Sequence, residues 1–411
     1  MKTKGAQAAL RFASASVVAV LALMSSVRAA GKYQVVHYFT DSPAASPLAG
    51  LIADSDGNLY GVAGQSNRKQ CHASNCGAVF RLAHQAGGRW TFSILHRFKG
   101  PDGDFPEGSL IFDSSGNLYG TTFGGGANTF GTVFEVSPSG NGWKEKVLYS
   151  FGSPGDDLIY PNAALTWDTS GNLYGTAMVT ETGGYGGVFE LKRFGNRWKE
   201  ETIHAFTGSD GANPASNLVW DSAGSLYGTT VQGGRYNEGV VFELIPTSGG
   251  RWKETVLYNF PGGVLGAYPY SGLILDTAGN LYGTTYQGGV YTCGQFSCGT
   301  VFKLKPSRGN WSLSIVHAFN GSDGDNPWAG VTFDSAGNLY GTTISGGRDG
   351  YGVVFKLSQS GRHWTETLLH SLDGKNGSTP YGGLIFDRGV LYGTAWTGGI
   401  GNAGVVFSLT P

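Results

Sequence analysis

The chain has 411 residues, of which 14% are charged and 13% are aromatic, and it contains 69 glycines. This composition is typical of a turn-rich, all-β protein and argues against a helical or disordered one. The formal net charge is −1, and it becomes −5 without residues 1–29, which hold four basic residues and no acidic ones. A mildly acidic surface of mixed charge argues against nucleic acid or an anionic membrane as a partner.

The first residues have the pattern of a secretory signal peptide. Lys2, Lys4 and Arg11 are basic, the run 16–24 is apolar, and small residues precede a cleavage point after residue 29. The apolar run is too short for a typical membrane span, although an uncleaved anchor is the alternative. We predict that residues 1–29 are a signal peptide and that the mature chain is secreted or periplasmic, without a membrane span.

A Leu-Tyr-Gly sequence returns seven times along the rest of the chain, at intervals of 52 to 59 residues. Its tyrosines are Tyr60, Tyr119, Tyr174, Tyr227, Tyr282, Tyr340 and Tyr392. Repetition at this period predicts an array of identical supersecondary units.

Each repeat reads as four short strands joined by turns. In the second copy the strands are predicted at 109–113, 118–122, 131–136 and 143–151, with Gly, Ser and Asn between them. The short turns favour antiparallel neighbours, which we call strands A to D in chain order. Strands A and C are apolar at most positions, which indicates sheets covered on both faces, as in the blades of a β-propeller.

The two ends of the chain indicate a closed ring. The seventh repeat ends with its third strand at 404–409, whereas residues 33–39 form a strand that precedes the first repeat. If this strand completes the last blade, two exposed edges disappear. We therefore predict an all-β, seven-bladed propeller with four antiparallel strands per blade, in which 30–411 are one domain and 30–39 are the outer strand of the last blade.

The repeat also resembles a known family. Gly-Asn-Leu-Tyr-Gly-Thr-Thr at 116–122 is followed by Gly-Gly at 124–125 and by a Gly-x-Val-Phe motif at 131–136, and the pattern returns from residue 279. It resembles the GloVer tandem repeats of bacterial "choice-of-anchor" secreted proteins, and the match covers nearly the whole mature chain. The resemblance implies an extracytoplasmic propeller and supplies no activity. It also implies an anchor, which we do not find in the sequence.

The four cysteines fall in two close pairs. Cys71 and Cys76 lie in the B–C loop of blade 1, and Cys293 and Cys298 lie in the same loop of blade 5. Blades 1 and 5 are not neighbours, so two local disulfides are predicted for an oxidising compartment. Zinc with His72 as an additional ligand is the alternative. We expect no metal and no cofactor.

Two other recurring residue types are interpreted as structural. Aspartates end the A strands and are expected to cap the turns that follow, with a bound ion as the alternative. One position of the D strands holds histidine in five blades and tyrosine in the other two. Because each blade contributes a single residue, these histidines cannot converge on one ion. They are His37, His96, His204, His317 and His370.

The D–A and B–C loops share one end of the propeller, and their variable sequences predict that binding takes place there. A proline precedes every strand A, and in blades 5 to 7 the next residue is aromatic. The predicted ligand-binding residues are Tyr270, Trp328 and Tyr381, together with Tyr286 and Trp396 at the ends of two B strands. Such rings can stack on sugars; a hydrophobic plug or ordinary loop packing is the alternative.

Acidic residues occupy the opposite arc of the same face. Glu107, Asp102 and Asp104 lie in blade 2, and Asp157 lies in blade 3. Two carboxylates across such a mouth could perform glycoside or uronate chemistry. Nothing in their spacing shows that any two converge.

Together these features predict a monomeric, non-catalytic binding protein for an extracellular glycan. The first alternative is a polysaccharide hydrolase or lyase that uses Glu107 with Asp102, Asp104 or Asp157. The second is a scaffold that binds a surface protein.

Overall fold

The structure, a computed structural model, describes residues 32–40, 44–65, 76–152, 158–195, 197–307 and 309–411. These residues form seven antiparallel sheets, each built on four strands in the order A-B-C-D. The predicted all-β, seven-bladed propeller is thereby confirmed. The predicted signal peptide, Cys71 and Asp157 lie outside the described residues.

The strands are short, and strand A is the shortest in every blade. The A strands are Ile52–Ala53, Ile111–Phe112, Thr166–Trp167, Val219–Trp220, Ile274–Leu275, Thr332–Phe333 and Ile385–Asp387. The B strands are Leu59–Ala63, Leu118–Thr122, Leu173–Thr180, Leu226–Thr230, Leu281–Thr285, Leu339–Thr343 and Val390–Ala395. The C strands are Ala78–Gln85, Thr132–Ser139, Gly187–Phe194, Val240–Pro246, Thr300–Ser307, Val353–Ser360 and Val405–Thr410. The D strands are Arg89–Arg97, Gly142–Ser150, Arg197–Ala205, Trp252–Asn259, Asn310–Ala318, His363–Ser371 and Lys32–Tyr38.

A few elements depart from the repeat. Blade 3 has an additional strand, Leu158–Pro161, which pairs with its strand B. The B–C loop of blade 5 carries a small hairpin made of Thr292–Cys293 and Phe296–Ser297. Two 3₁₀ turns complete the elements, Gly263–Leu265 and Ile400–Asn402. Within the described residues, no helix is long and apolar enough to cross a membrane.

The N-terminal strand closes the ring, as the sequence predicts. Lys32–Tyr38 pairs antiparallel with Val405–Thr410, so that Tyr33 lies opposite Leu409. The Oη of Tyr33 also donates a hydrogen bond of 2.7 Å to the carbonyl of Asn376, in the loop that connects blade 6 to blade 7. The strand that would otherwise be an exposed edge of the last blade is therefore covered.

The glycine of the repeated Leu-Tyr-Gly is required by packing. In blade 2, a Cβ on Gly120 would lie 2.7 Å from Cζ of Phe134 in strand C. The same clash recurs in all seven blades, at 2.5 to 2.8 Å. The strand C phenylalanines that cause it are fully buried: Phe80, Phe134, Phe189, Phe242, Phe302, Phe355 and Phe407. Each such ring contributes about 2 kcal/mol through burial alone, so a larger residue in place of the glycine would displace a central core side chain.

In blades 2 to 7, the threonine after this glycine joins neighbouring blades. In blade 2, Oγ1 of Thr121 donates to the carbonyl of Ala163 in blade 3, at 3.0 Å. The last link of the ring is equivalent, since Oγ1 of Thr394 in blade 7 donates to the carbonyl of Ala49 in blade 1, at 2.9 Å. Both hydroxyls are buried, so each bond satisfies a polar atom that water cannot reach.

The aspartates after strand A cap their own turns in blades 1 to 6. In blade 2, Oδ1 of Asp113 accepts hydrogen bonds from the backbone N–H of Ser115 and of Asn117, at 2.8 and 2.9 Å. Burial acts to raise the pKa of Asp113, but the hydrogen bonds outweigh it and the pKa lies below its ordinary value. Blade 7, whose turn is one residue shorter, differs: Asp387 ends strand A and pairs with Val390.

Candidate ligand-binding face

The D–A and B–C loops meet at one end of the propeller. In blade 6, Asp325 of the D–A loop forms an antiparallel bridge with Ser345, just after strand B, and Asp104 pairs with Gly124 in the same way in blade 2. The same bridge recurs in blades 1, 4, 5 and 7. Each of these blades therefore presents both of its variable loops on one surface, which we call the loop face.

The residue before each D–A proline adopts a left-handed backbone conformation. All seven have φ between 54° and 64°, although none is glycine: Ser46, Phe105, Tyr160, Asn213, Tyr268, Asn326 and Thr379. This conformation is costly for residues other than glycine, asparagine and aspartate, and it persists only where surrounding contacts hold it.

Backbone hydrogen bonds hold this residue between two blades. In blade 6, the N–H of Asn326 donates to the carbonyl of Cys298 in blade 5, at 2.8 Å. Its own carbonyl accepts from the N–H of Ile344, at 3.2 Å. The residue after the proline, Trp328, is thereby placed at a fixed position on the loop face. Equivalent bonds place Tyr270 and Tyr381.

Five aromatic side chains of blades 5 to 7 form one continuous cluster, which we call the aromatic arc. The rings of Tyr270 and Trp328 are stacked, with centroids 3.9 Å apart and planes 16° apart. Tyr286 contacts both rings edge-on, at 5.6 and 5.8 Å. The cluster continues from Trp328 to Tyr381 at 5.1 Å, and from Tyr381 to Trp396 at 5.4 Å.

The aromatic arc is only half-buried, because each of its five side chains keeps part of its surface exposed. Burial raises the pKa values of Tyr270, Tyr286 and Tyr381, so all three phenols remain neutral donors at neutral pH. The structure thus brings together all five aromatic residues that the sequence singles out. Their role in binding a ligand stays a prediction.

Two buried polar atoms, one next to the aromatic arc and one within it, have no hydrogen-bond partner in the described part of the chain. They are Oδ1 of Asp325 and Nε1 of Trp396. Burial raises the pKa of Asp325 to about 6, and its carboxylate lies close enough to Tyr286 to contribute to the raised pKa of that phenol. A buried acceptor without a partner is costly, so it favours a bound polar group.

Sequence reasoning did not identify Asp325, although a signal was present. Asp325 lies two residues before the D–A proline, and Asp104 takes the same position in blade 2. Oδ1 of Asp104 is likewise buried without a partner among the described residues, as is Oδ1 of Asn162 in blade 3. Buried polar atoms therefore line both arcs of the loop face.

The acidic residues of blade 2 do not form a pair. Burial alone raises the pKa of Glu107 to about 7, without a contribution from another carboxylate. Asp102 faces away toward the outer strand, where its Oδ2 lies 3.0 Å from Nε2 of His96. Burial also raises the pKa of Asp104. Glu107 is thus an isolated, partly buried acid on the loop face.

The disulfide predicted in blade 5 is present. Cys293 and Cys298 are bonded, and they flank the turn of the small hairpin in the B–C loop. Cys76 is also disulfide-bonded, but its predicted partner, Cys71, lies outside the described residues.

Two histidines of the outer D strands, one in blade 6 and one in the N-terminal strand of blade 7, pack against aromatic rings. His37 stacks on Phe92 with centroids 4.2 Å apart, and His370 stacks on Tyr33 at 3.8 Å. Burial lowers the pKa of His37 to about 4, so its imidazole is neutral. A structural role, as expected from the sequence, fits these two residues.

Comparisons with known proteins agree with this architecture. A family model described as the Gloeobacter/Verrucomicrobia repeat matches residues 66–297 and 291–411. No curated protein matches the chain.

Among solved structures, the extracellular domain of a putative one-component system from B. thetaiotaomicron is similar, with a TM-score of 0.55 and 12% identity. The alignment covers 92% of this chain but only 42% of that one. A putative oxidoreductase (glucose dehydrogenase) from Thermus thermophilus aligns over 92% of this chain and 99% of its own, with a TM-score of 0.45 and 15% identity. At 12% identity, the likeness to the first of these structures shows the fold alone.

Proposed function

The chain belongs to the Gloeobacter/Verrucomicrobia repeat family, and we propose that it is an exported, non-catalytic protein that binds an extracellular glycan through its aromatic arc. Export rests on the signal-peptide pattern of residues 1–29. The Cys293–Cys298 disulfide, which needs an oxidising compartment, supports it.

One observation carries the binding proposal: five partly exposed rings are in mutual contact, and two buried polar atoms, one of Asp325 and one of Trp396 within the cluster, have no partner in the described part of the chain. Sugar rings present apolar C–H faces that pack on flat aromatic surfaces, and they surround these faces with hydroxyls. If the surrounding side chains move on binding, one sugar hydroxyl could donate to Oδ1 of Asp325 and another could accept from Nε1 of Trp396, both of which are buried in the free structure. Binding sites typically combine an apolar wall with a few well-placed polar groups in this way.

The test is a glycan-array screen of the mature chain, followed by calorimetry on any hit. We expect Trp328→Ala and Trp396→Ala each to weaken binding at least tenfold, which corresponds to about 1.4 kcal/mol or more. Trp396→Phe keeps an aromatic ring but removes the Nε1 donor, so it should have a smaller effect.

The matched control is Tyr236→Ala, which removes an exposed aromatic side chain in the B–C loop of blade 4, outside the aromatic arc. It should leave binding unchanged. If both tryptophan variants bind every hit as the wild type does, the aromatic arc is not the binding site.

A second candidate function is favoured by Glu107. A carboxyl whose pKa is about 7 is partly protonated at neutral pH and can act as a general acid. The candidate reaction is cleavage of a bound polysaccharide by hydrolysis or elimination. Its test is incubation with any glycan hit, where turnover that survives Glu107→Gln would remove this residue from consideration.

A further inference from the structure

Within the described residues, histidine, aspartate and glutamate side chains come together at three interfaces between blades. In each case a histidine of strand D faces an aspartate of the following D–A loop, and a glutamate comes from strand D of the next blade. The three sets are His96, Asp102 and Glu145; His204, Asp210 and Glu254; and His317, Asp323 and Glu366.

The set between blades 1 and 2 is the most compact. Nε2 of His96 lies 3.0 Å from Oδ2 of Asp102, and one atom each of His96, Asp102 and Glu145 lie within 4.8 Å of one another. The backbone N–H of Lys99 donates to Oδ1 of Asp102 at 2.7 Å, which fixes the carboxylate and turns its other oxygen to the histidine. Oε1 of Glu145 is buried and has no partner among the described residues.

The geometry of this set suits a cation. One imidazole and two carboxyl groups converge on a common point, where Nε2 of His96 and Oδ2 of Asp102 already lie within hydrogen-bond distance of each other. A divalent cation between them would replace that contact and provide a partner for Oε1 of Glu145.

We propose that His96, Asp102 and Glu145 bind a divalent transition-metal ion of the Zn²⁺ type, which ties blade 1 to blade 2. Imidazole nitrogen and carboxylate oxygen are common zinc ligands at about 2.0–2.2 Å. Two such ligands at a tetrahedral centre lie about 3.3 Å apart, close to the 3.0 Å between His96 and Asp102. These two side chains remain 17% and 21% exposed, which leaves an entry path and room for a water as fourth ligand.

For the D-strand histidines, the sequence-based expectation of no metal rested on whether they could converge with one another. Each site instead uses one histidine and takes its carboxylates from the loop and from the neighbouring blade. Another close group of potential ligands among the described residues is Cys293, Cys298 and Asp325. It cannot bind zinc in the same way, because its two sulfurs form a disulfide.

The interface between blades 6 and 7 provides an internal comparison. His370 there faces Asn376, with Nε2 and Nδ2 3.0 Å apart, and Tyr33 stacks on its ring. An amide and a phenol thus stand where the first set has carboxylates. We expect no zinc at this interface.

The experiment is calorimetric titration of the EDTA-stripped mature chain with Zn²⁺, together with thermal unfolding. We expect one tight equivalent of zinc, which raises the unfolding temperature by about 2–5 °C. The sets at His204 and His317, which are less compact, should add at most weaker equivalents. Glu145→Gln and His96→Asn should each abolish the tight equivalent and its thermal shift.

The control is Glu200→Gln, which changes the glutamate at the same position of strand D in blade 3, where the facing residue of blade 2 is Tyr149. It should retain the tight equivalent. If Glu145→Gln reduces folding, judged by circular dichroism, Asp102→Asn replaces it as the test. A wild-type chain without tight zinc binding, or tight binding that survives the variants, would overturn the proposal.

Discussion

The D–A loops of blades 2 and 6 have the same backbone and present different chemistry. Phe105 and Asn326, the residues before the proline, have φ values of 57° and 55°. Two residues after them, blade 2 has Glu107 and blade 6 has Trp328. Glu107 is an isolated, partly buried acid, whereas Trp328 is the central ring of the aromatic arc.

The two loops share the backbone that builds the propeller and differ in the side chains on its surface. Both loops place an aspartate before the left-handed residue, and in both the Oδ1 of that aspartate is buried without a partner in the described residues. The position after the proline alone changes the surface from acidic to aromatic. Variation at this position, on a backbone held by neighbouring blades, is therefore where a ligand can be selected.

The largest effect should come from the glycine of the repeat, and it should be equal in the two blades. A Cβ on Gly120 or Gly341 would lie 2.7 or 2.5 Å from Cζ of Phe134 or Phe355. Gly120→Ala and Gly341→Ala should each lower the free energy of unfolding by about 3 kcal/mol, because the buried ring must move. Urea denaturation measures the loss.

Gly142→Ala is the matched control for these two variants. A Cβ on Gly142 would meet no atom closer than 4.0 Å, so its effect should stay within about 0.5 kcal/mol. A much smaller loss in blade 6 than in blade 2 would show that the two blades are not built alike.

The second prediction concerns the pH dependence of stability that results from Glu107 in blade 2. Burial raises its pKa from 4.5 to about 7, so the folded protein holds the proton more tightly than the unfolded chain does. The contribution of Glu107 to stability is therefore complete below about pH 4.5 and is lost as the pH rises to about 7. The free energy of unfolding of Glu107→Gln, relative to that of the wild type, should therefore increase by about 1–3 kcal/mol between pH 4 and pH 8.

This gain is measured by urea denaturation of both proteins across that pH range. Trp328→Phe, at the same position of blade 6, is the control and should show a difference from the wild type that does not change with pH. A constant difference for Glu107→Gln as well would mean that its carboxyl is solvated.

The third prediction distinguishes the two aspartates that precede the prolines. Burial raises the pKa of Asp325 to about 6 from 3.8, so Asp325→Asn should remove a stability loss of about 1 kcal/mol that develops between pH 4 and pH 6. If the aromatic arc binds a glycan, Asp325→Asn should also weaken binding severalfold, measured by calorimetry. Asp104→Asn is its matched control in blade 2, and equal effects of both variants on affinity would contradict a site confined to blades 5 to 7.

The closed ring can be predicted from the sequence because the same motif recurs in every blade. Seven Leu-Tyr-Gly copies and a last repeat without its fourth strand leave one way to pair Lys32–Tyr38, and the structure has that pairing. The sequence also marks the arc residues: a proline precedes Tyr270, Trp328 and Tyr381, and the other two lie at the ends of B strands.

The sequence does not show in which direction a side chain points in the folded protein. Asp102 was grouped with Glu107 because both lie in one loop, yet its carboxylate faces His96 on the outer strand. A His-x₅-Asp spacing at 96–102, 204–210 and 317–323 was present as a signal for that pairing. Glu145, which belongs to the next blade, lies 49 positions after His96 in the sequence. Only the packing of the two blades brings these two residues together.

The smallest predicted effect tests whether the left-handed residue of blade 6 supports the aromatic arc. Nδ2 of Asn326 donates to the carbonyl of Tyr286 at 2.9 Å, and both Asn326→Ala and Asn326→Gly lose this bond. They differ in that alanine resists φ near 55°, whereas glycine adopts it freely but loses more entropy on folding. The Asn326→Ala protein should therefore be about 0.5–1 kcal/mol less stable than the Asn326→Gly protein in urea denaturation. If the two are equally stable, the backbone at Asn326 is not a constraint, and the position of Trp328 must be set by the contacts among the rings themselves.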